Sequence, residues 1–270
     1  LVSRSFLAAV ADSGALTRTA ARGFASGPLA RLAPRLCTTP TAAAAFGFTL
    51  AMSRREKTYL RTTLPQMASF GAMAIAMFVK SSRRGSGMDI ELIHFAPYYF
   101  VFVAPLTLTA ARPSEHSEAR WWFGALPVSS VRELLEGAAK ALLCGMVLPA
   151  TVIVAALVVV VGGLDQFFDV VLAVFAVGAA VCFQARWFLR DIPFTRKPLG
   201  RAYAGSVLET IAVLVVAIGM GFVHAALRLH PIALGAGIVV YAVLFVVAWR
   251  GLARIRPEPG ALVARFTDGS

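Results

Sequence analysis

The chain has 270 residues, of which 58% are hydrophobic and only 15% are charged, and its net charge is +12. Soluble domains carry about 25% charged residues, so this composition excludes an ordinary soluble protein and predicts a polytopic membrane protein. Because lysine and arginine gather on the cytoplasmic side of membrane proteins, topology explains the positive charge, and nucleic-acid binding is not expected.

Residues 1–40 are basic and rich in alanine, serine and threonine, with Asp12 as their only acid. This composition is typical of a mitochondrial transit peptide, and ARGFAS at 21–26 resembles a presequence-processing site. It is equally typical of a poorly ordered basic segment, or of a linker from an upstream part. Both interpretations stay open.

Residues 41–255 form the predicted transmembrane domain, and residues 256–270 form a basic cytoplasmic tail. The first apolar stretch, TAAAAFGFTLAM at 41–52, is shorter than the about 20 residues that cross a bilayer, so it predicts an interfacial helix. Six later stretches have the length and composition of spanning helices, and they lie at about 62–79, 93–110, 141–161, 167–187, 204–226 and 232–249. The predicted fold is therefore an all-α transmembrane bundle of about six spans.

A charged amphipathic segment precedes the third span. Ser130 followed by Glu133 has the spacing of a capping box, which starts a helix. One face of this helix is apolar, and the opposite face carries the charges. The apolar positions are Val131, Leu134, Leu135 and Ala138, and the charged ones are Arg132, Glu133, Glu136 and Lys140. A second interfacial helix is thus predicted between spans two and three.

The distribution of charge predicts the orientation of the bundle. With the six spans placed as above, 22 of the 26 lysines and arginines lie on one side of the membrane. By the positive-inside rule, both termini face the cytoplasm, or the matrix if the protein is mitochondrial.

No catalytic motif occurs in the sequence. It contains no GxxxxGK[ST] phosphate-binding loop, no HExxH and no GxSxG, so an enzyme is not expected and any ATP hydrolysis would belong to a partner. The four histidines and three cysteines lack ligand spacing, so the sequence predicts neither a metal site nor a cofactor.

Two acidic residues and two of the prolines inside the predicted spans are interpreted as functional or structural features. Glu209 lies a few residues inside span five, where a charged carboxylate costs ~3 kcal/mol near the bilayer centre. It is either a functional intramembrane acid or one partner of a shallow ion pair with Arg201, and both interpretations are kept. Asp169, near a membrane edge, is interpreted as structural. Pro105 and Pro149 are expected to bend their helices and to free carbonyl groups that neighbouring helices must cover.

The whole arrangement resembles the permease subunit of ABC-2 type exporters, in particular poorly characterised bacterial members. Six spans with both termini inside, an amphipathic segment before span one and a helical loop between spans two and three carry the resemblance. The similar stretches are AAFGFTLAMSRREKTYLRTTLPQ at 44–66, ARWWFGALPVSSVRELLEGAAKALL at 119–143 and FLRDIPFTRKPLGRAYAG at 188–205. They cover most of 41–255 in the family's order.

The resemblance implies an exporter subunit in the bacterial plasma membrane, which works as a homodimer or heterodimer of permeases with a separate ATP-binding cassette subunit. The family's coupling helix, which docks on the ATPase, falls on Ser130 to Lys140, with Glu133 and Glu136 as the expected contacts. Residues 44–58 would be an elbow helix along the inner leaflet. The loop at 227–231 is too short for the family's re-entrant helices, which weighs against lipid flipping or polymer export.

An alternative from another class is a non-transporting structural subunit of a mitochondrial inner-membrane complex. Its support is the composition of residues 1–40 and the ARGFAS stretch. Such a protein would mature near residue 25 and would need no ATPase partner.

Overall fold

The computed structural model describes residues 28–84, 95–115, 130–196 and 207–257. Within these ranges the chain is helical and contains no strand, as predicted for an all-α bundle. The ARGFAS stretch and most of the basic tail lie outside the described residues.

Eight long helices make up most of the described part of the chain. They are α1 (Pro40–Arg55), α2 (Lys57–Arg84), α3 (Tyr99–Ala110), α4 (Val131–Leu142), α5 (Leu148–Gly162), α6 (Phe167–Phe188), α7 (Val207–Arg228) and α8 (Pro231–Gly251). Two single helical turns, Pro28–Arg31 and Ala33–Leu36, precede α1. A π-helical segment, Leu143–Val147, joins α4 to α5, and short 3-10 turns lie at Ala96–Tyr98, Leu164–Gln166 and Leu252–Arg254.

Four helical stretches of the described residues are long and apolar enough to cross a bilayer. They are Val131–Val160, Leu164–Phe188, Leu208–Arg228 and Pro231–Arg254, and they overlap predicted spans three to six. Predicted span one lies inside α2, and the described part of span two is the shorter apolar stretch Ala96–Ala110. The total of six spans therefore stays a prediction.

Membrane-crossing stretches that follow one another in the chain, such as α6 and α7, run in opposite directions, as the predicted spans require. At one end, Arg112 Nη2 donates to the Phe188 carbonyl over 2.5 Å, which joins the end of α3 to the end of α6. At the other end, Arg228 Nη2 donates to Gln166 Oε1 over 3.3 Å. We call the end that holds the contact of Arg112 with Phe188 the basic end. The C-terminal end of α8 and the start of α4 lie there as well.

Helix α6 lies at the centre of the bundle, and α7 and α8 lie at its periphery. Of the most apolar stretch of each helix, 56% is buried in α6, against 22% in α7 and 11% in α8. Small residues on α6 allow close packing, and Gly178 faces the ring of Phe245 on α8. The apolar outer faces of α7 and α8 suit contact with lipid chains.

Helix α1 packs across α4 at the basic end. Thr39 caps α1 by accepting a hydrogen bond from the Ala42 amide, and Pro40 occupies the first position of the helix, where its missing N–H costs nothing. A Cβ at Gly137 of α4 would lie 2.0 Å from the Ala42 carbonyl oxygen. Only glycine permits this approach of the two backbones.

Pro105 is expected to leave one backbone carbonyl of α3 without an intrahelical donor. The structure shows this carbonyl with a donor from another helix. Proline at 105 has no N–H to offer the carbonyl of Val101, four residues earlier. Gln184 Nε2 of α6 donates to that carbonyl over 2.9 Å. A side chain from a neighbouring helix therefore compensates the defect in α3, as the apolar surroundings require.

The sequence predicts a bend in the helix near Pro149. A π-helical segment, Leu143–Val147, immediately precedes the turn that contains this proline. The Leu148 amide bonds to the Leu143 carbonyl, five residues back, and α5 begins at once with Pro149 in its first turn. Predicted span three and the amphipathic segment before it thus form one continuous helical stretch, Val131–Val160.

We predict that Gln184→Leu lowers the free energy of unfolding by about 1–3 kcal/mol, because the Val101 carbonyl loses its donor. Pro105→Ala supplies an intrahelical N–H to the same carbonyl, so the glutamine substitution should cost less in that background. Thermal unfolding of the four proteins in one detergent gives the coupling energy. Equal losses in both backgrounds would contradict the proposed compensation.

Candidate functional site

The predicted coupling segment, Ser130 to Lys140, forms the first part of the long helical stretch. Ser130 has extended backbone and its hydroxyl accepts from the Arg132 amide over 3.2 Å, so the predicted helix start at Ser130 is confirmed. Leu134 and Leu135 face the core, as their spacing predicted.

The charged face of α4, however, is not open to water as the sequence pattern suggested. Glu136 is 1% exposed and Lys140 is 2% exposed. Lys140 Nζ donates to Glu136 Oε1 over 2.5 Å and to the Leu36 carbonyl over 2.7 Å. Helix α1 and the segment before it cover this face, a contact between residues about a hundred positions apart that periodicity within α4 does not reveal.

The remaining hydrogen-bonding capacity of the pair is also used. Glu136 accepts from the Thr38 amide over 3.1 Å and from the Thr38 hydroxyl over 2.5 Å. Lys140 Nζ lies 5.4 Å from the centre of the Trp249 ring, close enough for a cation–π contact. The pair therefore joins three elements: the segment before α1, α4 and α8.

Only the start of α4 stays accessible. Arg132 is exposed, and Ser130 and Glu133 are half-buried. Glu136, one of the two expected contacts with a partner ATPase, is thus withdrawn from the surface together with Lys140, whereas the coupling role of the segment stays a prediction. A partner that docks on this segment would meet Ser130, Arg132 and Glu133.

Glu209 and Pro105, which the sequence singled out separately, lie on the wall of the same cavity. The cavity lies between α3, α6 and α7, and its volume of about 30 Å³ suits one or two water molecules. The hydroxyl of Thr109, also on its wall, donates to the Pro105 carbonyl over 2.8 Å. Arg201, the suggested partner of Glu209, lies outside the described residues. The cavity is too small for a transported solute.

A polar cluster at the end opposite the basic end was not predicted. The Tyr98 hydroxyl lies 2.8 Å from His224 Nδ1, His224 Nε2 lies 3.5 Å from Asp169 Oδ1, and Arg228 Nε lies 3.2 Å from Asp169 Oδ2. The Tyr98 hydroxyl and His224 Nδ1 form a hydrogen bond whose donor is set by the tautomer of the ring. The spacing of His224 and Arg228, four residues on α7, was the available sequence signal.

A second unpredicted cluster joins loops at the basic end. Glu56, in the break between α1 and α2, is buried and accepts from the Ser114 hydroxyl over 3.0 Å and from the Glu115 amide over 2.9 Å. Asp191 pairs with Arg196 in the loop after α6. Glu56 thus attaches the loop after α3 to the start of α2, and the pair of Asp191 with Arg196 holds the loop after α6 together.

Metal-ligand clusters and disulfides are not found in the described ranges. No three His, Cys, Asp or Glu side chains there lie close enough together to hold a metal ion, and Cys37, Cys144 and Cys182 are free thiols. Cys37 lies beside the ion pair, and burial raises the pKa of its thiol to about 11.

Comparisons with known proteins identify no relative. No family model matches the chain, and no curated protein and no solved structure matches it significantly. The geometry of the chain itself is therefore the basis for inferring its function.

Removing one partner of the buried pair should be costly. We expect Lys140→Met to lower the free energy of unfolding by about 3–5 kcal/mol, because the Glu136 carboxylate stays buried without a cation. Adding Glu136→Leu should recover much of this loss. Arg132→Met, on the exposed part of the same helix, is the control and should change stability by about 0.5 kcal/mol or less. An equal loss in the single and double variants, measured by thermal unfolding, would show that charge burial is not the cause.

The raised pKa of Cys37 predicts slow alkylation. In a variant with Cys144→Ala and Cys182→Ala, iodoacetamide at pH 8 should react with Cys37 about 100-fold more slowly than with the same thiol in unfolded chain, because the thiolate reacts and its fraction falls tenfold per pKa unit. Mass spectrometry of the alkylated chain at several pH values gives the rate. A rate at pH 8 close to that of the unfolded chain would contradict the burial.

Proposed function

We propose that the chain is the permease-like membrane subunit of an exporter and that a separate ATP-binding cassette subunit drives it. The observation that carries this proposal is the length of the stretch Val131–Val160, which has 30 residues. At ~1.5 Å per residue it measures ~45 Å. A bilayer core is about 30 Å thick, so ~15 Å of the stretch would project beyond the lipid chains on the basic end.

A helix that projects in this way can transmit force into the membrane. Its outer part is fixed to α1 through the Gly137 contact and to α8 through Lys140 and Trp249. A displacement of the start of α4 would therefore move α1 and α8 together with α5. The π segment Leu143–Val147, followed by Pro149, is the place where the stretch can bend, because both interrupt the regular ladder of hydrogen bonds.

In this mechanism the ATPase would contact the accessible start of α4. ATP binding would displace Ser130, Arg132 and Glu133, and α5 would tilt against a second copy of the permease or a related subunit. Alternating exposure of a path between the two copies would follow.

Reversal of the exposed charges tests the proposal. The tagged full-length chain, purified in mild detergent from its own cells, should retain a P-loop ATPase in stoichiometric amount. Arg132→Glu with Glu133→Lys should lower the retained ATPase at least tenfold, because docking depends on charge complementarity. Arg61→Glu with Glu115→Lys, at two exposed positions away from α4, is the matched control, because it also leaves the net charge unchanged, and it should retain the ATPase. Equal retention by both variants, or no ATPase with the wild type, would contradict the proposal.

The structural-subunit alternative has one observation in its favour. The exposed apolar faces of α7 and α8 suit neighbouring membrane subunits as well as lipid. The same purification distinguishes the exporter subunit from the structural subunit by the partners that it retains. A mature N-terminus near residue 25, together with respiratory-chain or ATP synthase partners in place of an ATPase of the cassette type, would favour this alternative.

A further inference from the structure

The C-terminal ends of α6 and α8 lie side by side at the basic end. The Arg186 guanidinium lies against Gly251, with Nη1 3.4 Å from the position that a Cβ of this glycine would occupy. Arg250 immediately precedes Gly251 in the chain. One arginine from each helix thus lies at the place where both helices end.

Two more arginines lie next to this pair. Arg254 ends the 3-10 turn that follows α8, one helical turn beyond Arg250, and this turn contacts α6. Arg190 follows the end of α6, and its Cζ lies 4.4 Å from the centre of the Trp187 ring. We refer to Arg186, Arg190, Arg250 and Arg254 as the arginine cluster.

The charge of the arginine cluster is not compensated within the described part of the chain. No carboxylate there pairs with any of its four members, since the nearby Asp191 pairs with Arg196 and Glu136 with Lys140. Cations in the last turn of a helix are favourable, which accounts for Arg186 and Arg250. Arg190 and Arg254 lie beyond the helix ends, where this explanation does not apply. Four arginines at two adjacent helix ends favour a bound anion.

Apolar side chains extend from the cluster towards the middle of the membrane. Trp187 is 60% exposed and Phe183, one turn away on α6, is 47% exposed. Val243 and Val247 are exposed in the same way on α8. Tryptophan is enriched at the boundary between headgroups and lipid chains in membrane proteins. The surface thus offers cations at headgroup level and an apolar path for acyl chains below them.

We propose that the arginine cluster binds the phosphate of an anionic phospholipid in the leaflet at the basic end. Guanidinium groups bind phosphate oxygens in pairs of hydrogen bonds, and basic sites between the ends of membrane helices suit anionic headgroups. The adjacent apolar surface selects a lipid over free phosphate. The site does not depend on an ATPase partner, so it would serve either function considered above.

The test uses the full-length protein in detergent with added phosphatidylglycerol as the anionic probe and phosphatidylcholine as the neutral one. Native mass spectrometry counts retained lipids and gives apparent affinities. Each arginine near a headgroup contributes about fivefold to affinity. The triple variant Arg186→Gln, Arg250→Gln, Arg254→Gln should therefore lose about 100-fold in phosphatidylglycerol affinity, while its weak phosphatidylcholine binding stays unchanged.

The matched control removes three exposed charges elsewhere at the basic end: Arg54→Gln, Arg55→Gln and Arg61→Gln. It should retain phosphatidylglycerol. Equal losses in both variants would show that general attraction, and not the cluster, holds the lipid, and would overturn the proposal. Competition by millimolar inorganic phosphate would overturn it in favour of a free-anion site, and an acidic protein held by the cluster in place of lipid would overturn it as well. If the triple variant does not fold, Arg254→Gln alone, beyond the helix end, should still lose about fivefold.

Discussion

The buried ion pair between Glu136 and Lys140 is the interaction on which the packing of the basic end depends. Burying two charges is unfavourable unless each is fully hydrogen-bonded, and here Thr38, the Leu36 carbonyl and the ring of Trp249 complete the pair. The segment before α1 must therefore stay in place for the charges of α4 to remain paired. This requirement couples an N-terminal segment, the start of the long helical stretch and the last helix.

A similar rule applies to polar groups elsewhere in the bundle. Gln184 of α6 covers the carbonyl that Pro105 frees in α3, and Asp169 of α6 joins His224 and Arg228 of α7. In each case the compensating group comes from a different helix, because lipid offers no hydrogen bonds. Helix α6 contributes to both contacts, which agrees with its central position. Polar groups thus specify which helices are neighbours, whereas apolar packing alone would allow several arrangements.

The sequence predicted the features that depend on local pattern. Apolar length located four of the membrane-crossing stretches, and capping chemistry located the start of α4 at Ser130. It did not reveal that α1 covers Glu136 and Lys140, because an amphipathic pattern does not distinguish a face covered by a distant segment from one that meets water. The contact of Tyr98 with His224 was missed for a related reason: it joins residues 126 positions apart and leaves no periodic signal.

The two proposed sites at the basic end are physically connected. Lys140 of α4 contacts Trp249, and the next residue, Arg250, belongs to the arginine cluster. A displacement of the start of α4 would therefore reach the lipid-binding arginines through α8 without passing through the centre of the membrane. By the reciprocity of linked equilibria, an anionic lipid bound at the cluster would in turn favour one position of α4. The lipid would then act on the position of the helix that the partner subunit is proposed to move.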